Sequence, residues 1–344
     1  MAVRYGIYFF PIVLFLFAAG AHAQTFQASG TGGITIELSP RYPNPGEIVE
    51  LSAESFSFDL ERSNITWFAD GKIIGEGPGM KESAVIAGAL GSITKISVTA
   101  EGQNGTASGS AEIRPTELDL LWESDSYITP FYLGRALPSA GTNLRFQAIP
   151  RLRQENGETV PEKDLIYTWR RNNSVVQSVS GRGRSMVTLP SPVLFGTDTI
   201  TVHAESVDGK LAGESSAIIS SVEPKLALYK DHPLFGITYH EALGSQTNIP
   251  DSEMTFIAVP YFAQVNSPDD YELLYSWKVN GAEIPTDLNR PNALTISASK
   301  SNRLALIELV LTQTNNFIMR SVGKWGIELS GDETGIDPFS EGTQ

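Results

Sequence analysis

The sequence predicts an all-β chain of three tandem antiparallel β-sandwich domains behind an N-terminal signal peptide, and three observations carry that expectation. Residues 34–38, 93–98 and 199–204 alternate apolar and polar side chains with period two and are rich in β-branched residues, the pattern of half-buried strands. Turn-forming Gly, Pro, Asn and Asp separate such runs, and no amphipathic helix of three turns follows the leader; residues 83–90 have room for one short helical turn. A frame of one tryptophan and two turns recurs three times, which sets the number of domains.

The chain opens with Arg4 in a positive start, a largely apolar run over residues 5–19, and Gly20-Ala21-His22-Ala23 before Gln24. A charged start, a short apolar stretch and an A-x-A site make residues 1–23 a secretory leader, expected to be cleaved after Ala23. The run falls short of the roughly 20 apolar residues a spanning helix needs, and Pro11 interrupts it. No later stretch is apolar for that long. The mature chain is therefore expected to carry no transmembrane span and to be extracytoplasmic: secreted, periplasmic or on the cell surface. The 321 residues after the leader exceed one ordinary sandwich and fit two or three domains. The sequence has no cysteine, hence no disulfide and no cysteine-borne lipid, so packing must stabilise every domain unaided. The formal charge is −14, or −15 once Arg4 is removed with the leader. A chain this acidic gains nothing from a phosphate backbone, which excludes nucleic acid as a partner; the acidity reads as solubility.

Trp67 is followed three residues later by Asp70-Gly71, Trp169 by Asn172-Asn173 and Trp277 by Asn280-Gly281. Asp-Gly and Asn-Gly accept the positive φ of two-residue hairpin turns, so each tryptophan strand is expected to reverse at once. Second turns at Asn104-Gly105, Asp208-Gly209 and Asn315-Asn316 stand 37, 39 and 38 residues beyond the tryptophans, which are themselves 102 and 108 residues apart. The second and third repeats are closer kin. Phe131-Tyr132-Leu133-Gly134-Arg135-Ala136-Leu137 aligns with Ile237-Thr238-Tyr239-His240-Glu241-Ala242-Leu243, and Phe146-Gln147-Ala148-Ile149-Pro150 with Phe256-Ile257-Ala258-Val259-Pro260. The expected domains are residues 33–114, 115–222 and 223–331, with a disordered linker over 24–32 and a disordered acidic tail over 332–344. Pro115 and Pro224 at the boundaries predict stiff linkers and an extended rod.

Pro45-Gly46-Glu47-Ile48-Val49-Glu50-Leu51-Ser52-Ala53, Ile65-Thr66-Trp67-Phe68-Ala69-Asp70-Gly71 and Ile96-Ser97-Val98-Thr99-Ala100-Glu101 resemble the polycystic-kidney-disease (PKD) type of immunoglobulin-like domain. In that family a tryptophan strand runs into an aspartate-glycine turn and a valine-threonine strand closes the sandwich. The later repeats are similar to the broader immunoglobulin-like group. The resemblance implies antiparallel sandwiches in which Trp67, Trp169 and Trp277 are structural core between two sheets. It also implies a non-enzymatic structural or adhesive protein of the bacterial surface whose partner is a protein or a glycan. The alternative is a carbohydrate-binding accessory module of a secreted hydrolase system.

Catalytic chemistry finds little support. Three histidines follow the leader: His203, His232 and His240. Alternation around Val202 points His203 outward into solvent, and the position aligned with His240 in the second repeat is Gly134, so the two repeats share no histidine. The chain contains no H-E-x-x-H, no G-x-S-x-G and no glycine-rich phosphate loop, and its acids are scattered over turns; Gly181-Arg182-Gly183-Arg184 reads as a solvated basic turn. No catalytic residue, cofactor or metal site is expected. Calcium would be the metal to fit, but Asp269-Asp270-Tyr271-Glu272 and Asp332-Glu333 lack EF-hand spacing and read as solvated loops. The segment with most functional promise is an aromatic insertion, with Tyr127, Phe131 and Tyr132 in the second repeat and Tyr229, Phe235, Tyr239 and His240 in the third. These residues could form a recognition surface for sugar or protein, cap the open end of the sandwich, or pack the second repeat on the third. Alternating aromatics on strands favour the interior role.

Overall fold

The computed structural model of the protein describes residues 33–103, 105–251, 253–297, 304–316 and 319–329. The expected leader, the linker over 24–32, Asn104 and the tail with Asp332 and Glu333 lie outside the described residues. The first repeat contributes β1 (Thr35–Ser39), β2 (Ile48–Glu54), β3 (Asn64–Ala69), β4 (Lys72–Pro78), β5 (Glu82–Ile86), β6 (Thr94–Gly102) and β7 (Gly105–Ile113). The second contributes β8 (Glu117–Ser124), β9 (Asn143–Arg151), β10 (Leu165–Arg171), β11 (Ser174–Val175), β12 (Gly181–Arg182), β13 (Met186–Pro190), β14 (Thr197–Ser206) and β15 (Ala212–Ser220). The third contributes β16 (Lys225–His232), β17 (Gly236–Ile237), β18 (Gln246–Ile249), β19 (Glu253–Tyr261), β20 (Leu273–Val279), β21 (Ala282–Ile284), β22 (Ala293–Ser297), β23 (Leu304–Gln313) and β24 (Arg320–Leu329). Apart from a short 3-10 turn at Glu162–Asp164, every regular element among the described residues is a strand, so the class is all-β.

Each repeat divides its strands in the same way. The sheets are β1-β2-β5 and β4-β3-β6-β7, then β13-β9-β8 and β11-β10-β14-β15 with β12 also on β10, then β17-β16-β19-β22 and β18-β24-β23-β20-β21. This division is the Greek-key arrangement of immunoglobulin-like sandwiches. By contacts the chain forms two compact units. One holds residues 33–38, 51–83 and 95–112; the other holds 39–50, 84–94 and the second and third repeats together. The turn of helix allowed for residues 83–90 is absent: β5 runs to Ile86, and its pairing continues through Ala87 N–H to Glu47 C=O (2.8 Å) and Gly46 N–H to Ala87 C=O (3.0 Å). β-Branched Val85 and Ile86 suit that pleated edge better than a helical turn.

The recurring frame has a physical cause that the three repeats share. Asp70 and Gly71, Asn172 and Asn173, and Asn280 and Gly281 all have positive φ, as a two-residue primed hairpin turn requires. The first residue of each pair also stitches the turn to the next long strand of its sheet. Its side-chain oxygen accepts from the backbone N–H of Lys95 (2.9 Å), Thr199 (2.9 Å) or Leu306 (2.8 Å), and its own N–H donates to the carbonyl of the same residue. Only Asp or Asn supplies both a tolerated left-handed backbone and a short acceptor. The tryptophans three residues earlier are buried, paired with Val98, Val202 and Leu309 on the neighbouring strand. Each indole N–H donates to a backbone carbonyl: Met80 (2.9 Å), Arg184 (2.9 Å) and Pro291 (3.0 Å). Trp169 and Phe146 sit in one core built from both sheets of the second repeat, and Trp277 and Phe256 in the equivalent core of the third.

Candidate functional site

The aromatic insertion starts where β8 ends. The Asp125 carboxylate accepts from Asn143 N–H (2.7 Å) and Nδ2–H (2.9 Å), and Ser126 Oγ donates to Leu137 C=O (2.7 Å), closing a loop at its base. The next residue joins the other repeat: Tyr127 N–H donates to Ala263 C=O (2.8 Å) and Tyr127 C=O accepts from Phe262 N–H (2.7 Å). Phe262 is held in left-handed backbone (φ 66°), a conformation a non-glycine residue keeps only where its surroundings fix it. Here the bond to Tyr127 and a buried ring do so.

Side chains close the rest of the junction. Thr129 Oγ1 and Tyr261 OH share a hydrogen bond (2.9 Å), and Tyr261 OH shares a second with Tyr229 OH (2.8 Å). The Tyr132 ring lies against Tyr261 (5.4 Å between centroids) and meets Phe262 edge-on (6.1 Å), while Tyr239 meets Tyr229 edge-on (5.5 Å). Nearby, Asn316 Nδ2 donates to Ala140 C=O (2.7 Å) beside Gly141, where a Cβ would collide with the Gln264 side chain. Tyr127, Ile237 and Tyr239 together cover the outer face of β16 and β19, so Tyr229, Ile257 and Val259 are buried there although the main core lies on the other side of the sheet. Burial pushes the Tyr127 hydroxyl up to about 12, helped by Tyr239, Tyr261 and Asp269. Burial likewise raises Tyr229, helped by its hydrogen bond with Tyr261, and Tyr239. These phenols stay neutral at physiological pH and act as hydrogen-bonding packing groups rather than as acids or bases.

The residues singled out in the sequence thus separate. Tyr127, Tyr132 and Tyr239 belong to the junction. Phe131 is 95% exposed, Phe235 is 80% exposed against the His232 ring (4.7 Å), and His240 is exposed. Tyr132 contacts Tyr261, the partner of Lys225 at the start of β16, whereas His232 and Phe235 lie at its far end, so the exposed rings do not form one surface. The insertion of the second repeat is not a pair of alternating strands: residues 125–142 are irregular, as Pro130, Pro138 and Gly134 favour.

His203 is not solvated. Its side chain is 12% exposed, lies under the Tyr42 ring (5.2 Å) and stands 3.6 Å from Glu205 and 3.9 Å from Glu214. Alternation placed it on the outer face correctly, but the Tyr42 ring packs over it there. The acidic loop is engaged in its own turn and with the end of β23: Asp270 Oδ1 accepts from Glu272 N–H (3.1 Å), and the Glu272 carboxylate from Gln313 Nε2 (3.2 Å) and Asn315 Nδ2 (2.5 Å). Among the described residues no group of three or more His, Asp or Glu is placed to hold a metal ion, and no helix is long and apolar enough to cross a membrane. Sequence reasoning missed Thr129, Tyr261, Phe262 and Asn316. One signal was available: the segment aligned with Pro150-Arg151-Leu152 reads Pro260-Tyr261-Phe262, an exchange of a charge for an aromatic pair.

No protein-family model and no curated protein matches the chain. Among solved structures it is similar to the central fibronectin-III array of RIM-binding protein (13% identity, 83% of this chain and 94% of that one, TM-score 0.30). It is also similar to the fibronectin(III)-like modules of Clostridium thermocellum CbhA (11% identity, 55% and 94%, TM-score 0.26). A third is the three N-terminal domains of the bacteriophage RB49 highly immunogenic outer capsid protein Hoc (14% identity, 87% and 99%, TM-score 0.23). The likeness is one of fold alone.

Proposed function

We propose that the chain is a non-enzymatic, secreted or cell-surface structural or adhesive protein: a rod of PKD-type and immunoglobulin-like domains, spanning residues 33–114, 115–222 and 223–331, in an envelope or pilus-like assembly. The observation that carries this reading is the main-chain clasp of Tyr127 on Phe262 and Ala263. A string of independent binding domains needs only domains that are each well packed. A spacer that must hold a direction gains from backbone bonds and buried aromatics across its junctions. A sugar-binding platform would instead need a row of exposed rings, and Tyr127, Tyr229 and Tyr239 are packed into one cluster on the third repeat.

The test is depletion of the purified mature chain from solution by intact cells of the producing organism and, in parallel, by insoluble cellulose, chitin and peptidoglycan. Retention on cells that is lost after protease treatment of their surface, with none on the polysaccharides, is the expected result. Retention on a polysaccharide, abolished by Phe131→Ala or Phe235→Ala, would replace this reading with the carbohydrate-binding alternative.

A further inference from the structure

All three repeats end in a long strand at one side of a sheet, and they differ in what lies beyond it. In the first, Ile34 N–H donates to Ser108 C=O on β7 (3.3 Å). In the third, β18 runs parallel to β24 from Gln246 opposite Gly326 to Ile249 opposite Leu329, with Gly326 N–H donating to Ser245 C=O (2.8 Å). In the second, β15 is the last strand of its sheet. Its outward-facing groups are fixed from both ends: Ala212 C=O accepts from Thr116 Oγ1 (2.8 Å) and Val222 N–H donates to Pro138 C=O (2.8 Å). Even-numbered residues therefore aim their N–H and C=O away from β14. Between the two stops, those of Glu214, Ser216, Ile218 and Ser220 have no partner among the described residues.

The opening has a cause. Residues 139–142, which align with 245–248 at the start of β18, are folded into a turn instead: Thr142 N–H and Oγ1 both donate to Ser139 C=O (3.1 and 2.8 Å). Ser191 fixes that turn through its N–H to Thr142 C=O (2.9 Å) and its Oγ to Ser139 C=O (2.7 Å), and the turn presents Ala140 C=O to Asn316 across the junction. The segment that would cover the edge is used to hold the third repeat. Open edges are normally guarded by Pro, Lys, bulges or inward charges. Ser215-Ser216-Ala217-Ile218-Ile219-Ser220 carries none of these, its pairing with β14 is unbroken, and Ile218 is exposed.

We propose that β15 is a docking edge for an extended strand of another protein, added parallel to β15 beside Glu214 to Ser220, in the direction that β18 takes beside β24 at the positions equivalent to Ile218 to Ser221. Main-chain bonds would supply the affinity, and an apolar or small residue would sit beside Ile218. With a net charge of −14 on the chain, a neutral or basic strand fits better than an acidic one. A second copy pairing β15 with β15 about a two-fold axis would run antiparallel and would not reproduce the arrangement of the third repeat.

Residue-resolved amide exchange on the mature chain tests this, alone and with a synthetic peptide of residues 243–249 as the probe strand. In the free chain the amides of Ser216, Ile218 and Ser220 should exchange freely while those of Ser215, Ala217 and Ile219 are protected. Saturating peptide should slow the first three by at least about tenfold. Ile218→Pro removes one outward N–H without touching the bonds to β14, and should abolish that slowing. Ile218→Lys, which keeps the backbone intact, should weaken it. Three results would overturn the proposal: no slowing at saturating peptide, slowing that both variants leave unchanged, or protection in the free chain that grows with protein concentration, which would make the occupant a second copy.

Discussion

The outer face of the β8-β9-β13 sheet and the outer face of the β16-β19-β22 sheet occupy the same place in two related repeats, yet one is a charged lattice in water and the other is interior. In the second repeat Arg151 reaches both Glu117 and Asp119, Arg145 pairs with Glu123 (2.9 Å), and Leu121 stands exposed between them. In the third repeat Tyr229, Ile257, Val259 and Tyr261 stand where the second has Leu121, Gln147, Ile149 and Arg151, and β19 has five consecutive buried residues, Phe256 to Pro260. A strand buried on both faces is unusual in an antiparallel sandwich and needs a third layer. That layer is the aromatic insertion of the third repeat together with Tyr127 of the second. The difference teaches where the junction gets its stability. It rests on apolar burial and neutral hydrogen bonds, while the charged face, open to water, contributes solubility and little free energy.

The aligned pair Gln147 and Ile257 offers the sharpest way to break the comparison. Ile257→Ala should destabilise the unit that holds the second and third repeats by about 2–4 kcal/mol, because it opens a cavity between sheet and cover. Gln147→Ala should stay within about 0.5 kcal/mol. Denaturant midpoints of the two variants decide it, and equal losses would mean that the two faces are not so different. Next in size is Tyr261→Phe, which removes the hydroxyl shared with Thr129 and Tyr229 and leaves both partners in a partly buried site. A cost of about 1–2 kcal/mol is expected from the same measurement.

Alkali should separate the repeats by a different route. The Tyr127 pKa is raised in the folded chain from 10.0 to about 12, so its contribution is complete below pH 10 and is lost as pH climbs from 10 through 12, where only the unfolded state releases the proton freely. Raised pKa values at Tyr229 and Tyr239 act in the same direction. Phenolate absorbance should therefore lag behind that of free tyrosine and rise together with loss of the junction; titration of these residues at the ordinary value would contradict the buried arrangement. The smallest effect is expected from Arg145→Gln on the charged face, below about 1 kcal/mol and vanishing in concentrated salt. Stability curves at low and high ionic strength would reveal it.

Much of the fold was legible in the sequence because its signals are local. Period-two alternation and the Asp-Gly, Asn-Asn and Asn-Gly pairs placed the strands and turns, and the same turn residues turn out to bond the next strand of the sheet. The junction was half legible: Tyr127 and Tyr239 stood out as aromatics, but alternation reports only which side of its own sheet a residue faces. Whether another segment covers that side is settled at long range, which is why His203 read as solvated and why the buried outer face of β19 went unseen. The open edge of β15 was illegible for the same reason, since its cause is a turn at residues 139–142 committed to a different partner.

The clasp of Tyr127 on Phe262 and Ala263 and the aromatic layer should hold the second and third repeats as one body. Because the chain has no native cysteine, spin labels can be placed cleanly at Thr188→Cys and Glu283→Cys, exposed positions in the two repeats. The distance distribution between them, measured by pulsed electron resonance in frozen solution, should be a single peak no wider than the labels' own freedom, and Tyr127→Ala should broaden it. A broad or multi-peaked distribution in the chain with Tyr127 intact would contradict the claim.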